Sequence, residues 1–180
     1  FASQSHARLA AATDSGALAG QLVPVPLADG SVLSADEGLR RGTTVESLSG
    51  LKPVFQVDGE IHAGNSSQIS DGAAALLMMT SAKAAELGLT PIARFHSGAL
   101  AGDDPVMMLS APIPATQKVL QRSGLSLEEI GVYEVNEAFA PVPMAWLAET
   151  GADPARLNPN GGAIAIGHPL GGSGARIMTQ

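Results

Sequence analysis

Residues 160–176 read NGGAIAIGHPLGGSGAR, a glycine-rich stretch that bears on both the fold and a candidate site. Its glycines permit positive φ angles and let the backbone pass close to a ligand. Pro169 restricts His168 to an extended backbone, so a strand and turn are predicted over 157–169. A helix over 171–180 would place its N-terminus, which favours negative charge, beside His168. Such a histidine suits proton transfer or donation to an oxyanion, and a structural histidine in a tight turn is the alternative.

A second informative stretch is VYEVNEAFA at residues 132–140. It predicts a short strand over 132–135 that leads into a helix over 137–150. Asn136 lies at the carboxyl end of this strand, where open α/β sheets collect their ligands. A neutral amide there can hold a water or a carbonyl without adding charge. Asparagine is also a favoured helix cap, so capping is the alternative role for Asn136.

The rest of the chain alternates helical and extended patterns from residue 71 onward, which predicts a layered α/β fold with helices covering a mixed β-sheet. Residues 28–55 are rich in turn residues and predict a loop-dominated subdomain. The helix over 71–87 is apolar on most of its circumference, so burial is expected. Helices are predicted at 2–19, 45–51, 71–87, 114–123, from 126, 137–150 and 171–180; extended segments are predicted at 22–27, 92–102, 132–135 and 157–169.

The amino-acid composition argues against several classes of function. The chain has 180 residues, of which 45% are hydrophobic, and its net charge is −7 with only 10 Lys and Arg residues. This acidic balance argues against a nucleic-acid partner, and no apolar run approaches the roughly 18 residues that a membrane span needs. The absence of cysteine excludes disulfides and a cysteine nucleophile within these residues. The four histidines lack metal-ligand spacing, so no metal site is predicted.

Two polar segments in the first 70 residues are further candidates. Arg40 and Arg41 are adjacent cations, and a guanidinium can stack on an adenine or meet a phosphate. Ser66 and Ser67 follow a Gly-Asn turn and can donate to an amide or a carbonyl. Taken alone, each of these segments is better explained by surface and turn roles.

Taken together, these motifs resemble the thiolase family, the acetyl-CoA acyltransferases. The specific parts are NEAFA at 136–140 and GGAIAIGHPLGGSGAR at 161–176, supported by AGNSSQISDGAAA at 63–75 and by residues 36–53. The resemblance covers essentially the whole chain and implies an incomplete thiolase-like layered α/β fold. Residues 1–67 would form the later part of the CoA-binding loop subdomain, and residues 68–180 a truncated C-terminal core half.

The resemblance implies cleavage of a 3-oxoacyl-CoA by free CoA, or the reverse Claisen condensation. CoA is then a co-substrate, and no permanently bound cofactor is implied. His168 matches the family histidine that activates a cysteine nucleophile and helps to form an oxyanion hole. Asn136 matches the asparagine that positions the water of that hole.

The resemblance extends to the binding residues. Arg40, Ser47 and Ser67 match positions along CoA, and Ala138 and Phe139 match the pocket beside the reacting thioester. Acyl-CoA substrates, a homodimer or homotetramer and a cytoplasmic location are expected for the intact protein.

The resemblance implies that both catalytic cysteines of the family lie outside these residues, one expected before Phe1 and the other after Gln180, and the 180 residues contain no cysteine. The 180 residues alone are therefore expected not to complete turnover. A non-catalytic relative that binds CoA esters or lipids, or a scaffold piece, is the alternative. The acyl chain length and the favoured direction of the reaction do not follow from these residues.

Overall fold

The computed structural model describes residues 1–180, and its regular structure is mostly helical. Two short strands, β1 (Val25–Pro26) and β2 (Val32–Leu33), form an antiparallel hairpin. The seven α-helices are α1 (Ala2–Asp14), α2 (Val45–Ser49), α3 (Ser81–Glu86), α4 (Pro112–Ser123), α5 (Pro141–Thr150), α6 (Ala163–Ile166) and α7 (Ser173–Thr179). None of these helices combines the length and the apolar character that crossing a bilayer requires.

Several helix ends lie where the sequence predicts them. Helix α1 ends at Asp14, earlier than the predicted residue 19, and Gly16 adopts a φ of +75° just beyond it. Glycines with left-handed backbones, Gly124 and Gly151, end α4 and α5. Helix α5 begins at Pro141 rather than at the predicted residue 137, because proline favours the first helical position.

The predicted buried helix over 71–87 is wrong for most of its length. Residues 71–80 lack regular structure, and only α3 is helical. Leu77 is 82% exposed, so no other segment of this chain covers it. A helix that is apolar on all sides draws its stability from packing rather than from intrinsic propensity, and that packing is missing here.

The sheet is smaller than predicted. Residues 92–102 have no regular structure, because no neighbouring strand provides hydrogen-bond partners for them. The predicted strand at 132–135 is reduced to one parallel bridge between Tyr133 and Leu157. Within the predicted strand and turn at 157–169, residues Ala163–Ile166 form one turn of helix.

Three small cores hold the chain together, and the smallest of them consists of Ala2, Ala140 and Ile164. Helix α1 packs on α6, with Leu9, Ala12, Leu18 and Ala165 buried between them. The second core lies around Trp146 of α5, whose indole N–H donates to Thr116 Oγ1 of α4 at 2.8 Å. This core also holds Tyr133, Ala152 and Leu157, and so it anchors the segment that leads to Asn136.

Gly161 lies where α1 passes closest to the 160–168 segment. Its φ is +84°, and an added Cβ would lie 2.6 Å from the Ser5 carbonyl oxygen and 2.9 Å from the Leu9 Cβ. Both the left-handed backbone and the tight approach of α1 therefore require glycine here.

Replacing Gly161 by alanine is expected to lower the free energy of unfolding of the full-length protein by about 2–4 kcal/mol, from left-handed strain and overpacking. Urea unfolding followed by tryptophan fluorescence measures the loss. Gly174→Ala in α7 is the control, because nothing lies within 4 Å of the added Cβ. Equal midpoints for the two variants would contradict the tight approach of α1.

Candidate active site

Asn136 and His168 lie in direct contact. The Asn136 Nδ2 is 3.3 Å from the His168 Nε2, although the two residues are 32 positions apart. Both side chains are half-buried. No helix begins at Asn136, because Ala140 is the N-terminal cap of α5. The capping alternative for Asn136 is therefore wrong, and its amide group faces the imidazole instead.

The other nitrogen of His168 is also anchored. Its Nδ1 lies 2.5 Å from the Ser173 Oγ, and the Ser173 hydroxyl donates to the Pro169 carbonyl at 3.0 Å. Since that hydroxyl proton is already engaged, the pattern assigns a proton to Nδ1, which donates to Ser173. The Nε2 then carries a lone pair and accepts the Asn136 N–H.

Burial and a neighbouring cation both favour the neutral form of His168. Burial lowers its pKa from the ordinary value of 6.5, and the Arg176 guanidinium lowers it further. Burial raises the pKa of Glu134 to about 7, opposed by Arg176 and assisted by Glu137. Nowhere in the 180 residues do three His, Asp or Glu side chains gather closely enough to hold a metal ion.

Residues 65–69 run between the two segments that carry Asn136 and His168. On one side, the Ser67 N–H donates to the Ala138 carbonyl at 2.9 Å. On the other side, the His168 N–H donates to the Gln68 carbonyl at 2.8 Å. One stretch of backbone therefore sets the spacing between the two predicted catalytic segments.

The two predicted pocket residues adjoin this stretch. Ala138 and Phe139 are both half-buried, and Phe139 forms a bridge with Ser66. The Phe139 ring meets Phe55 edge to face, with 5.8 Å between the ring centroids. These residues therefore lie beside Ser67, two and three positions after Asn136 in the chain.

The three predicted CoA-binding residues lie in different settings. Arg40 is exposed and lines a pocket of about 100 Å³ together with Gln68, the neighbour of Ser67. The Arg40 N–H donates to the His6 Nδ1 at 3.3 Å. The Ser47 hydroxyl is engaged at the start of α2, where it donates to the Thr44 carbonyl at 2.9 Å. Contacts with CoA stay a prediction for all three residues.

Glu137 is the residue that sequence reasoning missed. Its side chain is 1% exposed, and its carboxylate accepts hydrogen bonds from Ser5, Asn158 and the backbone of Ile164. The available signal was its position, because this carboxylate stands in the otherwise uncharged run VNEAFA. A charged residue in such a run predicts either exposure or a buried set of hydrogen-bond donors.

Comparison with known proteins identifies the family. The model of the thiolase N-terminal domain matches residues 1–82, and the model of the thiolase C-terminal domain matches residues 89–180. The chain belongs to the thiolase family. The resemblance seen in the sequence motifs is thereby confirmed, whereas the division at residues 67 and 68 stays a prediction.

The relatives carry two enzyme names. This thiolase chain is 50% identical over 182 residues to a probable acetyl-CoA acetyltransferase of Mycolicibacterium smegmatis, covering 98% of the chain and 47% of that protein. It is 48% identical over 187 residues to a 3-ketoacyl-CoA thiolase of Escherichia coli, covering 99% of the chain and 48% of that protein. The chain therefore spans about half the length of these relatives.

Solved thiolase structures share its fold. The Bacillus anthracis acetyl-CoA acetyltransferase superposes with a TM-score of 0.96 at 41% identity, over 99% of this chain and 46% of that one. Human mitochondrial 3-ketoacyl-CoA thiolase in complex with CoA superposes with a TM-score of 0.92 at 39% identity, over 99% of this chain and 45% of that one. The dimeric peroxisomal thiolase of Saccharomyces cerevisiae superposes with a TM-score of 0.93 at 38% identity, over 99% of this chain and 46% of that one. The predicted fold class, an incomplete thiolase-like α/β fold, is confirmed.

His168 of the full-length thiolase is expected to titrate with a pKa below the ordinary 6.5. Arg176→Gln should raise that pKa, because removing a neighbouring cation stabilises the imidazolium. NMR of selectively labelled histidine across the titration measures both values. Arg122→Gln, at an exposed position of α4, is the control. An unchanged His168 pKa in Arg176→Gln would contradict the electrostatic assignment.

Proposed function

We propose that this thiolase chain is part of an acyltransferase that cleaves a 3-oxoacyl-CoA with free CoA, or runs the reverse Claisen condensation. The 3.3 Å contact between Asn136 and His168 carries the proposal, because it joins a neutral amide and a neutral imidazole in one place. The names of the relatives support both directions of the reaction.

The first role of His168 is to take a proton. Its Nε2 lone pair can accept the proton of a thiol in exchange for the Asn136 N–H, and the resulting thiolate is the reactive form of cysteine. Ser173 keeps the ring in place through Nδ1 during this exchange. The chain contains no cysteine, so the proposed nucleophile comes from outside these residues, and the chain alone would not turn over.

The second role is to stabilise an oxyanion. Attack on a thioester concentrates negative charge on its oxygen, and donors that are already fixed stabilise this charge without reorganising. The Asn136 Oδ1 is buried and has no hydrogen-bond partner in the protein. It can accept one hydrogen of a water whose second hydrogen points to the oxyanion. The protonated Nε2 of His168 is the second donor.

Arg40, Ser47 and Ser67 are proposed to bind CoA, with Ala138 and Phe139 beside the thioester. Arg40 suits the phosphates because its guanidinium is exposed and engages no acidic partner. CoA is proposed as a co-substrate, without a permanently bound cofactor. The human relative, which was solved in complex with CoA, supports CoA as the co-substrate.

Three further properties of the intact protein are part of the proposal: a role in fatty-acid breakdown by β-oxidation, a cytoplasmic location, and assembly into a homodimer or homotetramer. The dimeric yeast relative supports a dimer. The competing function is a non-catalytic relative that binds CoA esters or lipids. The full-length sequence separates the two, because the enzyme requires a cysteine on each side of these residues.

His168→Ala in the full-length protein is expected to slow the thiolysis of a saturating 3-oxoacyl-CoA by about 10³-fold or more, since it removes both the base and an oxyanion donor. Asn136→Ala should slow the same turnover by about 10²-fold. Loss of substrate absorbance measures the rates. His96→Ala, at an exposed histidine, is the control. Unchanged turnover in His168→Ala would refute the catalytic assignment.

Arg40→Gln is expected to raise the KM for CoA by about tenfold while kcat changes less than about twofold, as loss of uniform binding predicts. Steady-state kinetics with varied CoA measures this split. Arg41→Gln is the matched control, because Arg41 is already paired with Asp14 at 2.7 Å. Equal KM changes in the two variants would argue against the Arg40 contact.

A further inference from the structure

We infer that Glu137 is a positioning residue whose buried carboxylate holds Asn136 against His168 without touching the substrate. The inference rests on the proposed function for its kinetic consequence, but its geometric content stands on contacts in this chain. Those contacts involve three donors, the two segments of the site and helix α1.

Three donors converge on the carboxylate. The Ser5 hydroxyl donates to Oε2 at 2.6 Å, and the Ile164 N–H donates to the same oxygen at 3.2 Å. The Asn158 amide donates to Oε1 at 2.9 Å. A buried carboxylate is strongly unfavourable unless donors of this kind replace its water. The donors and Glu137 therefore require one another.

The Asn136 side of the site is held on both flanks. Asn158 pairs with the backbone of Val135, accepting its N–H and donating to its carbonyl, each at 2.8 Å. The same Asn158 amide also binds Glu137. Asn136 lies between these two tied residues, so its backbone cannot shift unless one of the bonds breaks.

The His168 side is held by the same carboxylate. Glu137 accepts the N–H of Ile164 in α6, the helix that ends at Ile166, two residues before His168. A side chain at position 162 would overlap the Glu137 carboxylate, and the Gly162 N–H donates to the Ser5 Oγ at 3.0 Å. Glu137 therefore fixes the positions of the two segments of the site relative to each other.

An amide cannot replace this carboxylate. Both oxygens face donors, so a glutamine would direct its NH₂ group either at the Ile164 N–H or at the Asn158 amide. Asn158 cannot turn to accommodate it without losing both bonds to Val135. Glu137→Gln therefore keeps the size of the side chain but leaves two hydrogen-bond donors facing each other without an acceptor between them.

Glu137→Gln in the full-length protein is expected to lower kcat for thiolysis by about 10–100-fold, as a small misplacement of catalytic groups does. The KM for CoA should change less than about twofold, because no predicted CoA contact involves Glu137. Glu149→Gln, at an exposed position of α5, is the matched control and should leave both constants unchanged. Equal activity of the two variants would overturn the inference.

A double-mutant cycle tests whether Glu137 acts through Asn136. In an Asn136→Ala background, Glu137→Gln is expected to cost less than about threefold in kcat, because the contact between Asn136 and His168 that Glu137 maintains is already lost. The same loss in both backgrounds would show a merely structural role. If Glu137→Gln fails to fold, Ser5→Ala gives the same cycle by removing one donor, with an expected loss of about 3–10-fold.

A crystal structure of Glu137→Gln decides the geometry independently of turnover. The Asn136 Nδ2 and His168 Nε2 should move beyond normal hydrogen-bond distance, and a retained 3.3 Å contact would overturn the inference. A wild-type protein that lacks thiolysis would refute the proposed function instead. Active wild type, inactive His168→Ala and fully active Glu137→Gln would refute only the role of Glu137.

Discussion

The hydrogen bonds that reach the buried Glu137 carboxylate are the constraint on which the candidate site depends. They join a residue of α1, a turn residue and the start of α6 at a single charged group. The three contacts have to form together, because with fewer hydrogen-bond donors the free-energy cost of burying the carboxylate would exceed the stabilisation from its remaining hydrogen bonds. The geometry of the site thus follows from satisfying one buried charge.

One turn of α1 extends this constraint to the proposed CoA-binding region. Ser5 binds the Glu137 carboxylate, while His6, the next residue, accepts the Arg40 N–H. Burial, and then the charge of Arg40, lowers the pKa of His6, which favours the neutral ring whose Nδ1 can accept this hydrogen bond. Arg8 donates to the Leu157 carbonyl next to Asn158. The same helix therefore positions both the loop with Arg40 and the catalytic segments.

Much of the site could be predicted from the sequence, and the misses share a cause. His168 and Asn136, whose side chains meet in the structure, could be singled out as candidates because glycine, proline and strand-end positions are local signals. The helix over 71–87 and the strand over 92–102 were wrong because their patterns describe elements that need partners. Leu77 and Ile92 are exposed in this chain, which spans about half the length of its relatives, and neither segment finds a surface to pack on.

The sequence by itself determined the features that depend on a few adjacent residues: the glycine ends of α4 and α5, the proline start of α5, and the lack of any thiol. Only the tertiary structure decided that the Asn136 amide meets the His168 imidazole instead of capping a helix, and that Glu137 is buried. The physical reason is distance along the chain. Ser5 and Glu137 are 132 positions apart, so their contact depends on packing that no local pattern encodes.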